Sequence, residues 1–182
     1  FPDKTHFFDP KTSSVCKLVV WHLARHYKYQ PPQHMKYLVK WASIIDGASY
    51  KSPKELVEIK EPAIKFILFT DAIDSQKPGY AKEAQKIVEA LSSRSLADII
   101  KAEGFKNKIS SLLKNHAKNV KELKLILQKN GKVVFADLSD HEIFSHKFVI
   151  YYLYPKIMYS VGVGHHSNYY HLGVGENPWH RG

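Results

Sequence analysis

The segment from Trp41 to Tyr50, WASIIDGASY, constrains this chain most, because an apolar helical stripe runs into a single carboxylate and then meets a glycine. Met35, Leu38, Val39, Ala42 and Ile45 recur at three- and four-residue steps, so a helix through them presents one apolar face. Burying that face delivers Asp46 to the edge of a core. Gly47 is expected to supply the backbone turn that ends the helix. The plain alternative is a helix ending on a solvated carboxylate.

The chain before this segment reads as a Pro turn at Pro10, a capping cluster at Thr12, Ser13 and Ser14, and a helix whose buried side is Val15, Leu18, Val19 and Leu23. His22 and His26 stand four apart on that helix, a spacing at which two imidazoles share a metal. No third ligand lies nearby in sequence, so a hydrogen-bonded or solvated pair is the better reading. Downstream, Ser52-Pro53-Lys54-Glu55 and Ser95 with Asp98 both have the form of a helix-opening cap. Gly104 is placed to end the second of these helices, and Ile109, Leu113, Val120, Leu123 and Leu127 trace one stripe of a long lysine-rich helix over 106–130. His116 interrupts the stripe.

After Gly131 the pattern changes. Val133 to Phe135 is a strand signal, 143–154 reads as a buried aromatic helix, and alternation over 157–163 and 170–174 predicts two strands joined by a hairpin turn at 165–168. The glycines alternating with bulky residues there leave one face open to close approach. The Gly-x-Gly pairs lack the third glycine and following helix of a dinucleotide fingerprint.

Three stretches, WASIIDGASY, the earlier FFDPKTSSVCKLVVWHL and the later EPAIKFIL, resemble the DHH phosphoesterases, in the bacterial subgroup related to oligoribonucleases and single-strand exonucleases. The resemblance implies a metal-ligand role for Asp46, the last carboxylate in chain order of a two-manganese site. It also implies that Ser13 and Ser14 pack beneath that site without being catalytic. The segment SVGVGHHSNYYHLGVGENPWHRG looks like the start of the DHH-associated domain, which makes Asn177 and Arg181 candidate substrate contacts: the amide as a directional donor, the guanidinium as a phosphate partner. Read structurally, Asn177 and Pro178 simply make a turn with Trp179 packed beneath it. The Asp-His-His triplet, the Asp-x-Asp segment and the Gly-Gly-Gly-His loop of the family do not occur, so the chain reads as an internal fragment.

The expected fold class is therefore α/β: the helix-rich rear part of a parallel-sheet DHH domain at 1–104, a connector helix at 105–130, and part of a smaller mixed α/β DHH-associated domain at 131–182. The implied parent is a metal-dependent phosphoesterase that hydrolyses a phosphodiester or phosphoanhydride with metal-activated water, using Mn2+, with no catalytic residue assigned to this chain and no activity expected of it alone. The substrate class is a phosphate-containing molecule such as a short oligonucleotide, a cyclic dinucleotide or a polyphosphate. A formal charge of +10 agrees with an anionic ligand, and it also supports the rival reading of a non-catalytic basic nucleic-acid-binding or scaffold domain. Against that rival, only Arg25, Arg94 and Arg181 are arginines, the residue favoured for bidentate phosphate contacts. A single cysteine, Cys16, excludes an internal disulfide and a Cys-rich zinc site and fits a reducing cytoplasm. No apolar run is long enough for a bilayer, so no membrane contact is expected, and a homodimer stays open.

Overall fold

The computed structural model describes residues 8–73, 78–141, 143, 148–166 and 169–180. Eight helices and four strands among them make a mixed α/β fold: α1 (Val15–Tyr27), α2 (Gln33–Asp46), α3 (Pro53–Glu58), α4 (Pro62–Asp71), α5 (Tyr80–Ser93), α6 (Leu96–Lys101), α7 (Glu103–Ile126), β1 (Gln128–Asn130), β2 (Val133–Asp137), α8 (Val149–Leu153), β3 (Tyr159–His166) and β4 (Tyr169–Glu176). The chain divides into two compact units. Residues 1–51 and 61–109 form the first, and residues 52–60 and 110–182 the second.

The described residues of the first unit form helices and connecting turns, with no strand among them. Its core is built from Trp41 of α2, Ala63, Ile64 and Phe69 of α4, Ile87 of α5 and Leu96 and Ile99 of α6. The α2 stripe is not in that core. Met35, Leu38, Val39, Ala42 and Ile45 are half-buried, and they line an apolar groove of about 490 Å³ together with Val15, Val19 and Val20 of α1. Of the residues expected on the buried side of α1, Val15 is 74% and Val19 is 49% exposed. The stripe is correctly periodic, but periodicity identifies a face and not what covers it. Helix caps divide similarly. Ser95 accepts the Asp98 N–H and opens α6 as expected, whereas the Ser52 side chain makes no cap hydrogen bond and α3 opens on Pro53. Gly104 does not end α6; it lies in the first turn of α7, because α6 already stops at Lys101.

The second unit is a four-stranded sheet in the order β1-β2-β3-β4, with β1–β2 and β3–β4 antiparallel and β2–β3 parallel. The helix α7 stops at Ile126, four residues earlier than its apolar stripe suggested. Gln128 to Asn130 then pair with β2 through a two-residue turn in which Gly131 has φ +56°. Between the parallel strands the chain passes through α8; of the span 143–154 expected as helix, Val149–Leu153 are helical, whereas Ile143, Phe148 and Tyr154 are not. The two strands expected near the C-terminal end are present as β3 and β4, in register from Tyr159↔Glu176 to His166↔Tyr169. The expected turn falls partly on 167–168, outside the described residues.

One face of this sheet is covered: Val134 and Ala136 of β2 and Ser160 of β3 are buried, and Tyr151 of α8 bonds Ser160 through its hydroxyl at 2.9 Å. Gly175 of β4 makes this possible, since a Cβ there would lie 2.8 Å from the Tyr151 hydroxyl oxygen and 2.9 Å from Ser160 Oγ. The other face leaves Phe135, Tyr159, Leu172 and Val174 exposed. His116, which breaks the α7 stripe, is buried and donates from Nε2 to the Val57 carbonyl of α3 at 3.1 Å.

Candidate functional site

Asp46 is the last residue of α2 and is exposed. The exit behind it is a Schellman motif: the Ser49 N–H bonds the Ile44 carbonyl at 2.8 Å, and the Ala48 N–H bonds the Ile45 carbonyl at 3.1 Å. The residue that takes the left-handed conformation in this motif is Ala48, with φ +47°, while Gly47 has an ordinary φ of −85°. The expectation that Gly47 turns the backbone is thus corrected by one position. Space is tight at 47: a Cβ there would stand 3.0 Å from the Ser43 carbonyl oxygen, 3.1 Å from Ser49 Oγ and 3.2 Å from Ser13 Cβ. An L-residue in the left-handed region costs about 1–2 kcal/mol, so the turn beside Asp46 carries backbone strain.

Serines knit the start of α1 to this exit. Ser43 donates to the Val39 carbonyl at 2.9 Å, which engages its only proton, so the 3.1 Å contact with Ser14 has Ser14 as donor. Ser14 Oγ also caps α1 by accepting the Lys17 N–H, and Ser13 reaches the Ser43 carbonyl at 3.4 Å. Sequence had placed Ser13 and Ser14 close to Asp46. It did not identify Ser43 as their partner, because a serine within an apolar helical run carries no signal of its own contacts. Asp46 sits at the negative end of the α2 dipole, where a carboxylate is unfavourable and a cation is welcome. Among the described residues no group of three or more His, Cys, Asp or Glu could hold a metal ion. The imidazoles of His22 and His26 stack with ring centroids 4.4 Å apart and recruit no third ligand among those residues.

Asn177, just beyond β4, is 1% exposed. Its amide nitrogen donates to the Pro155 carbonyl at 3.2 Å and the Ile157 carbonyl at 2.8 Å, and its amide oxygen accepts the Trp179 N–H at 3.1 Å. Its backbone N–H closes on the Met158 carbonyl at 2.8 Å. Both side-chain donor hydrogens are engaged, so Asn177 acts here as a clamp, and no amide hydrogen is left to offer a substrate. Trp179 packs edge-on against Phe148, with centroids 5.3 Å apart, in the arrangement the structural reading of this turn described. Arg181 lies outside the described residues. The two candidates that are described belong to different units, Asp46 to the first and Asn177 to the second.

No protein-family model matches the chain, and no curated protein matches it in sequence. Among solved structures, the chain is similar in fold to PggH from Vibrio cholerae, a pGpG-specific phosphodiesterase, with a TM-score of 0.80 and 15% identity. The match covers 97% of this chain and 61% of that one. It establishes the fold.

Proposed function

We propose that this chain is part of a metal-dependent phosphoesterase of the DHH type, acting on a short oligonucleotide or dinucleotide. The observation that carries this reading is the fold likeness over nearly the whole chain to a phosphodiesterase specific for pGpG. The WASIIDGASY exit supports it independently, since a carboxylate exposed at a helix's negative end is an arrangement that a divalent cation relieves. In this reading Asp46 is one ligand of a Mn2+ site, and the other ligands come from chain segments outside this sequence. When bound, the metal supplies Lewis acidity and lowers the pKa of a bound water. What this chain does is hold Asp46: the Ser13–Ser14–Ser43 contacts and the steric fit at Gly47 fix the α2 exit, and Ala48 fixes its direction. Arg181 remains a proposed phosphate contact. Cyclic dinucleotides and polyphosphates are the competing substrate classes.

The test is Mn2+ titration of the chain, followed by paramagnetic broadening of amide signals. Broadening centred on residues 46–49 that disappears in Asp46→Asn supports the ligand role, and broadening unaffected by the substitution rejects it. In a longer protein containing this chain, the same substitution lowers Mn2+-dependent hydrolysis of a short oligonucleotide by about tenfold or more.

A further inference from the structure

A second concave site lies in the first unit, in a cavity of about 430 Å³ bounded by α4, α5 and the start of α7. Its floor is aromatic. Phe69 of α4 is 3% exposed, and half-buried Phe105 of α7 meets it edge-on with centroids 5.1 Å apart, so Phe105 is the ring presented at the surface. Its wall is cationic. Lys82 and Lys86 come from successive turns of α5, and Lys108 comes across from α7. Lys108 Nζ bonds Glu83 at 2.6 Å and stands 5.8 Å over the Phe69 ring. Three ammoniums against the one carboxylate of Glu83 leave two positive charges on the wall. Lys82 and Lys86, four residues apart on one helix, repel each other when no anion lies between them.

From this combination we propose that the cavity is a binding site for a nucleoside-monophosphate-sized anion, its planar ring against Phe105 and its phosphate held by Lys82 and Lys86. Inorganic phosphate would use the lysines and leave the aromatic floor wet, and an uncharged ring would use the floor and leave two ammoniums uncompensated. A ring joined to a phosphate uses both, and the cavity volume is in the range of small-molecule sites. The site involves neither Asp46 nor a metal, so it stands apart from the phosphoesterase reading and is tested without Mn2+.

The experiment is a heteronuclear NMR titration of the 182-residue chain with GMP in the presence of EDTA, alongside guanosine and inorganic phosphate as separate probes. The expected result is saturable GMP binding with shifts confined to α4, α5 and the first turns of α7, and at least tenfold weaker binding of guanosine and of phosphate. Lys82→Gln with Lys86→Gln weakens GMP about tenfold or more. Phe105→Leu, which keeps the apolar packing, weakens GMP several-fold and leaves phosphate binding unchanged. Removing the same charge elsewhere on α7, with Lys121→Gln and Lys124→Gln, leaves GMP binding within about twofold. Thermal melts confirm that each variant is folded. Three results overturn the proposal: no saturable GMP binding, GMP binding no tighter than guanosine or phosphate, or equal losses from the two lysine pairs, which would indicate charge steering alone.

Discussion

At the end of α2 the chain leaves with an exposed carboxylate, a strained alanine and a tightly enclosed glycine; at the end of β4 it leaves with a buried asparagine whose amide hydrogens are all bonded. Both exits are short polar turns after apolar elements, and both are candidate site residues from the sequence alone. Their energetics are opposite. The Asn177 turn is stabilising throughout, since every polar atom named in it has a partner and Trp179 seals it against Phe148. The Asp46 turn tolerates two unfavourable features, an anion at a helix's negative end and an L-residue in left-handed geometry. That contrast is why the proposed chemistry rests on Asp46 and not on Asn177.

The comparison breaks most visibly at Asn177. Asn177→Ala strands the Pro155 and Ile157 carbonyls and the Trp179 N–H, and is expected to cost about 2–4 kcal/mol in urea unfolding of the second unit. A loss below about 0.5 kcal/mol would remove its role as a clamp. Gly47→Ala comes next. The added methyl must displace Ser13 or the Ser43 carbonyl, so a loss of about 1–2 kcal/mol is expected, together with shifted amide signals at the start of α1.

A gentler effect is expected with pH. Burial pushes the pKa of His116 below its ordinary value, so between pH 7 and 5 the unfolded chain takes up the proton first. The stability that neutral His116 contributes is complete above about 6.5, the unfolded value, and is lost as pH falls from there through the folded one. Denaturant midpoints measured across this range should fall on acidification, and His116→Gln should flatten the slope.

The smallest effects sharpen the Asp46 side. Ala48→Gly relieves left-handed strain while adding freedom to the unfolded chain, for an expected gain of up to about 1 kcal/mol. Asp46→Asn in metal-free buffer should raise stability by about 0.3–1 kcal/mol by removing a charge from the wrong end of the helix dipole. A melting point that falls instead would make Asp46 a structural residue.

Much of the architecture was legible because it follows from local rules. Strand β2 shows as a compact apolar run, β3 and β4 as period-two alternation, α6 is announced by Ser95 and Asp98, and the α2 stripe shows helical period. Strand β1 was not legible, since Gln128, Lys129 and Asn130 are all exposed and continue a helical pattern until Gly131 reverses the chain. Of the candidate site, the sequence marked Asp46 and Asn177 by residue type, and the family resemblance placed Ser13 and Ser14 near the first.

What the sequence alone determined is which faces are apolar and which segments are helix or strand by their period, because these depend on neighbours within a few residues. Only the tertiary structure decided that Gly47 is tightly enclosed and Ala48 makes the turn, that Ser14 bonds Ser43 twenty-nine positions away, and that Asn177 faces inward to two carbonyls about twenty residues back. The physical reason is the same in each case: a hydrogen-bond partner or a steric limit supplied by a distant part of the chain leaves no periodicity in the sequence to read.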